Sequence, residues 1–182
     1  MDYKTIANDG IVEEEIKKSR FICHLKRISN EEEGREYIAQ IKKEHHKANH
    51  SCSAMIVGED GQIKRSSDDG EPSGTAGVPM LTVLEKQGLT NVVAVVTRYF
   101  GGIKLGAGGL IRAYSGSVAH AIEEIGRVDV TLNIKSSPIS LKKKGSKNLI
   151  QLSYPMFLQP CLLKSLRLKD LVKSLLNSIK EK

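Results

Sequence analysis

The chain of 182 residues has no tryptophan, and aromatic residues make up only 4% of it. Any core must therefore be built from aliphatic side chains. No apolar run approaches the roughly 20 residues a helix needs to cross a bilayer, so no membrane-spanning helix is expected. The first 18 residues are acidic and polar, without the basic start and apolar stretch of a secretory signal. Cysteine is scarce: Cys23, Cys52 and Cys161 are an odd, scattered set. They argue against a disulfide framework and for a reducing, cytoplasmic location. One further absence is local. No Asp or Glu lies between Glu85 and Glu123.

The net charge of +7 is unevenly spread. Residues 1–130 hold 17 Lys or Arg against 19 Asp or Glu, a net of −2, whereas residues 131–182 hold 11 against 2, a net of +9. An argument for nucleic-acid binding from overall charge is thus confined to the last 52 residues. For the body it must rest on local patches.

The acid-free stretch contains the densest glycine cluster of the chain: Gly101, Gly102, Gly106, Gly108 and Gly109. A strand of branched apolar residues, Val92 to Val96, leads into it, and a helical pattern leaves it. Arg98, Lys104 and Arg112 flank it. Such a loop can turn several backbone N–H groups toward one anion, and a helix N-terminus adds partial positive charge. Two nucleotide-loop templates fail. Gly101 and Gly106 have P-loop spacing, but Ala107-Gly108 stands where Lys and Ser or Thr belong. Gly106-Ala107-Gly108-Gly109-Leu110-Ile111 breaks the dinucleotide fingerprint at its last position. A tight strand-to-helix turn with close packing and a phosphate or carboxylate site remain as alternatives.

Taken in order, residues 3–18 read as an irregular or edge-strand lead-in. Ser19 to Ile28 reads as a strand, with Phe21, Cys23 and Leu25 on one face. Ser29 or Asn30 can cap a helix from Glu31 to Lys43, whose first turn is acidic. Ser51 to Val57 and Gln62 to Ser66 form a hairpin about Gly58-Glu59-Asp60-Gly61. Residues 66–77 form a second polar loop, in which Thr75 can cap the next helix and Pro79 sits in its first turn. Val92 to Val96, apolar throughout, predicts a strand covered on both faces. Leu110, Tyr114, Val118, Ile122 and Ile125 recur at helical spacing up to Gly126. The order is β, α, β, β, α, β, α, an α+β sheet-and-helix layer. After Val130, linker-like segments precede an amphipathic basic run from Leu162 to Ile179.

Asp68, Asp69 and Glu71 form the acidic cluster of this second polar loop. Carboxylates in a loop can hold Mg²⁺, or they can bind their own backbone or pair with Arg98 or Lys104. His45, His46, His50 and Cys52 invite a zinc reading but lack paired short spacings. Cys52 beside a histidine could be a nucleophile, with no third orienting group in view. Ser67 and Ser73 lack a nucleophile-elbow context.

Ser67-Asp68-Asp69-Gly70-Glu71-Pro72-Ser73-Gly74-Thr75-Ala76-Gly77, followed by Val96-Thr97-Arg98-Tyr99-Phe100-Gly101-Gly102-Ile103-Lys104-Leu105-Gly106, closely resembles the signature of the IMPACT family in its bacterial YigZ-type branch. Lys18 to Ile22 and the His46 to Cys52 stretch resemble it too, so the likeness covers residues 1–130. The resemblance implies a domain of the ribosomal-protein-S5 second-domain type and a link to regulation of translation. In the eukaryotic branch it implies a protein partner in the amino-acid-starvation kinase pathway, and in bacterial members RNA or ribosome binding. It implies no cofactor and no settled reaction. Residues 131–182 stand where bacterial members carry a ferredoxin-like domain and read as a poorly packed, separable basic tail.

The resulting expectation is a binding module. Loops 67–77 and 97–109 meet in one polar pocket, with Arg98, Gly101, Gly102, Lys104, Gly106, Gly108, Gly109 and Arg112 facing an anion. Asp68, Asp69 and Glu71 form the opposite wall. The alternatives are a metal-dependent enzyme acting on a phosphorylated substrate and a protein–protein adaptor.

Overall fold

The computed structural model describes residues 2–131. The expectations placed on the basic tail beyond Thr131 lie outside the described residues. The chain runs β1 (Asp2–Ile6), β2 (Gly10–Ile16), β3 (Ser19–Arg27), α1 (Glu31–Glu44), β4 (His50–Val57), β5 (Ile63–Ser67), α2 (Gly77–Lys86), β6 (Val92–Tyr99), α3 (Ala107–Ile125) and β7 (Arg127–Thr131). Five strands form one antiparallel sheet in the order β2-β3-β6-β4-β5, and β1 pairs with β7 separately. The class is α+β, with helices packed on the sheet.

The all-apolar strand is the centre of the sheet. Val92, Ala94 and Val96 of β6 join Met80 and Leu84 of α2 and Tyr114, Val118 and Ile122 of α3 in the main core. Val93 and Val95 point the other way, into a smaller core with Ile28, Ile41, Met55 and Val57 beneath α1. An antiparallel strand is usually half solvated and alternating. Here helices lie on both faces, so every position from Val92 to Arg98 is buried.

Local chemistry sets the element ends. Asn30 Oδ1 accepts from Glu33 N–H at 2.8 Å, and Glu33 Oε2 accepts from Ser29 N–H at 2.9 Å, a reciprocal cap at the start of α1. Gly126 ends α3 with φ 83° while its N–H donates to Ile122 O at 2.9 Å. Thr75 does not cap α2 as expected. Its hydroxyl donates to Pro72 O at 2.6 Å. The cap comes from Asp68, whose Oδ1 accepts from Ala76 N–H (3.0 Å) and Gly77 N–H (2.8 Å).

The N-terminal lead-in is more regular than its sequence suggests. It forms β1 and the sheet-edge strand β2, and residues after Gly126 return as β7 against β1, in register from Asp2↔Thr131 to Ile6↔Arg127. The β1–β7 ribbon is largely exposed and carries little apolar alternation, so periodicity gave no sign of it. It is pinned by Ile6, fully buried in the main core, and by Thr90 N–H donating to Lys4 O at 2.9 Å.

His24 of β3 is 2% exposed, and neither ring nitrogen has a hydrogen-bond partner. Its ring centroid lies 5.0 Å from that of His45 at the end of α1. Burial first, then His45, lowers its pKa to about 4, against an opposing pull from Glu44.

Two predictions follow from the two cores. Val95→Asp places an unpaired charge under α1 and should cost several kcal/mol, about 3 or more, read as a shift in the denaturation midpoint. His24 is held neutral when folded but titrates near 6.5 when unfolded. The unfolded state therefore binds the extra proton first, and stability should fall as pH drops from about 6.5 toward 4. Urea melts at pH 7 and pH 5 should show this loss in the parent and a smaller one in His24→Leu.

Candidate anion-binding pocket

The loop between β5 and α2 meets the loop between β6 and α3 over the end of the sheet. Arg98 Nη1, at the end of β6, donates to Glu71 Oε1 at 2.7 Å, and both side chains are buried (7% and 3% exposed). Tyr114 of α3 donates its hydroxyl to the same oxygen at 2.8 Å. His50 Nε2 of β4 lies 3.9 Å from Glu71 Oε2, and its Nδ1 lies 2.9 Å from Asp69 O. Burial and the neighbouring Cys52 and Glu71 push the Tyr114 phenol well above its ordinary pKa, so it stays a donor.

Over this floor opens a cavity of about 380 Å³. Arg98, Glu71 and His50 line its polar side, and Phe100, Lys104 and the start of α3 at Gly106 and Ala107 line the rest. Among the described residues no side chain caps α3. Its first helical bond is Leu110 N–H to Gly106 O, 2.9 Å, and the N–H groups of Ala107, Gly108 and Gly109 have no acceptor among the described residues. These are the orphan donors of a helix N-terminus, where the helix dipole is positive. The exposed Lys104 stands beside them and forms no ion pair among the described residues. The Arg98 guanidinium lies 5.5 Å from the ring centroids of both Phe21 and Phe100, and its Nε is buried without a partner.

The structure sorts the expected site residues. Arg98, Lys104 and Gly106 line the cavity, whereas Gly101, Gly102, Gly108, Gly109 and the exposed Arg112 do not. The acidic residues do not form an opposite wall. Only Glu71 reaches the cavity, and it is bonded to Arg98. Asp68 turns inward to cap α2 and also accepts from Gly74 N–H at 2.8 Å. Asp69 accepts from Lys42 Nζ (2.6 Å) and Ser51 N–H (2.7 Å). Burial opposes the charge on both, but these donors hold both carboxyls below the usual range.

Among the described residues, no three His, Cys, Asp or Glu side chains come together as a metal site. His45 lies 2.9 Å from the Tyr99 hydroxyl, and the Cys52 thiol donates to Asp68 O at 2.9 Å. Burial pushes that thiol up to about 12. It is therefore protonated at neutral pH and a poor nucleophile. Phe100, Asn49 and Tyr114 were not singled out from sequence. Phe100 is an exposed aromatic in a loop. Tyr114 sat unremarked in an apolar helical stripe, although a buried phenol normally needs a polar partner.

The glycines divide by cause. A Cβ on Gly101 would lie 1.7 Å from Lys18 O, whereas one on Gly108 would meet nothing nearer than Arg112 Nη1 at 3.8 Å. Gly101→Ala should therefore destabilise the fold strongly. Gly108→Ala, inside a helix and unobstructed, should be neutral or stabilising by up to about 1 kcal/mol. Thermal melts of the two variants check the contrast.

Residues 17–122 match the Impact N-terminal domain. Over 127 residues the chain is 59% identical to the IMPACT family member YvyE of Bacillus subtilis, which covers 70% of this chain and 58% of that one. Over 116 residues it is 47% identical to the IMPACT family member YigZ of Escherichia coli, covering 63% and 57%. A crystal structure described as that of a hypothetical protein superposes with a TM-score of 0.68 at 42% identity, covering 71% of this chain and 64% of that one. The chain thus spans somewhat over half the length of these curated relatives. With the domain matched over more than half of its residues, the chain belongs to the IMPACT family.

Proposed function

We propose that this domain is a cytoplasmic, translation-linked binding module that holds a phosphate of RNA, free or in the ribosome, at the start of α3. The observation that carries this reading is the uncapped N-terminus of a 19-residue helix opening, with Lys104, onto a cavity floored by Arg98. Free N–H groups, the helix dipole and a mobile ammonium are what an oxyanion needs. The translational link rests on the family resemblance. No described helix is long and apolar enough to cross a membrane. A protein partner is the second reading. It is favoured by the exposed apolar side chains of Phe100, Ile103 and Ile111 around the same loop.

Arg98 is a poor probe of this function, because its removal strands the buried Glu71. Ala107→Asp is a better one. It puts a carboxylate where the anion would sit, and a helix start favours that charge by about 0.3–1 kcal/mol. In the full chain, Lys104→Ala and Ala107→Asp should each weaken binding of a short single-stranded RNA by about 5-fold or more, on the scale of one charge-assisted hydrogen bond. The melting temperature should hold or rise. Fluorescence anisotropy at two salt concentrations measures the first and a thermal melt the second. Unchanged affinity in both variants, for a nucleoside 5′-monophosphate as well as for the RNA so that the basic residues beyond 131 cannot mask a loss, would leave the partner-protein reading as the better one.

A further inference from the structure

We infer that the pocket selects a single nucleotide, phosphate and base together, so that it takes a chain end or an unstacked nucleotide and not a duplex backbone. The inference rests on the phosphate reading above and deepens it. Size is the first argument. The cavity of about 380 Å³ falls in the range of small-molecule sites. A phosphate displaces only a few waters of about 30 Å³ each and would leave most of it empty.

The remaining lining is the second argument. Beyond the charged groups, the walls are Pro72, Phe100, Leu105 and Leu110. Phe100 is 45% exposed and has the Arg98 guanidinium against its ring. An open aromatic beside a cation is a stacking platform for a base of any identity. Asn49, also on the lining, has its amide oriented by a bond that the fold already makes: its Oδ1 accepts from Phe100 N–H at 2.8 Å. The amide nitrogen therefore keeps both N–H donors, and no acceptor for them occurs among the described residues. That supplies a donor for the edge of a base next to the stacking ring.

Charge is the third argument. Binding a duplex along its backbone needs a track of unpaired cations. Residues 1–130 carry a net −2, and many of their surface cations are paired, as in Lys42–Asp69, Lys64–Glu85 and Arg65–Glu31. One local anion site on a near-neutral body suits one nucleotide.

Calorimetric titration of the full chain with inorganic phosphate, ribose 5-phosphate and a nucleoside 5′-monophosphate tests this. Mononucleotide probes keep the basic residues beyond 131 from dominating. The monophosphate should bind at least about 10-fold more tightly than ribose 5-phosphate, the scale of one stacked base. Phe100→Ala should erase that difference by weakening the monophosphate, while Phe100→Trp should keep it. Ala107→Asp should remove binding of all three. Equal affinity for ribose 5-phosphate and the monophosphate would overturn the nucleotide inference and leave the phosphate site standing. Failure of all three probes to bind would overturn both.

Discussion

The carboxylate of Glu71 is the constraint on which the functional end of the molecule depends. It sits in a loop without regular structure, yet it is bonded to Arg98 at the end of the central strand and to Tyr114 on α3. A charge this deeply buried is tolerable only with its partners in place, and removing one typically costs 3–5 kcal/mol. The loop after β5 is thereby tied to two elements distant in sequence. Tyr114 in turn packs edge-to-face on Phe21 at 5.4 Å, so polar floor and apolar core share a side chain. The floor of the cavity is organised by these internal contacts alone.

The same pairing explains why charge read along the sequence was a partial guide. Arg98, Lys104 and Arg112 look equivalent beside the glycine cluster. In space, Arg98 is neutralised and structural, Lys104 stands at the cavity, and Arg112 lies away from it. Asp68, Asp69 and Glu71 look like one acidic wall, but each answers a different donor set: helix N–H groups, Lys42 with Ser51 N–H, and Arg98 with Tyr114. Residue type and spacing reveal that a loop is chemically dense. They do not reveal which of its charges the fold consumes.

Legibility in the fold follows the same line. The central strand, α1 with its Asn30 cap, the hairpin from β4 to β5 and α3 up to Gly126 were readable because each carries its own local cause: an apolar run, a cap, a turn glycine, a 3.6-residue stripe. The β1–β7 ribbon joins segments some 120 residues apart with little apolar alternation, so nothing local announced it. Gly101 belongs with it. Its glycine is required by Lys18 O, contributed by the turn between β2 and β3. A glycine needed for close packing and one needed for a ligand look identical in a sequence. Of the described glycines only Gly106, with φ 71° at the start of α3, lines the cavity.

Two helices begin at this end of the sheet, and they are treated differently. Nothing at the start of α2 caps it locally, but Asp68 folds back to supply an anion to its N–H groups. Among the described residues nothing caps α3 either, and there the fold supplies no anion: no acid occurs between Glu85 and Glu123, and the one described carboxylate on the cavity is held by Arg98 and Tyr114. The missing acids noted at the outset thus have a location. They leave the dipole of a 19-residue helix, with Lys104 beside it, as an unanswered positive end facing an open cavity. A helix that merely needed stabilising could have been capped as α1 and α2 are. An open helix start beside a satisfied neighbour is what the proposed anion site needs, because a built-in carboxylate would compete with every ligand.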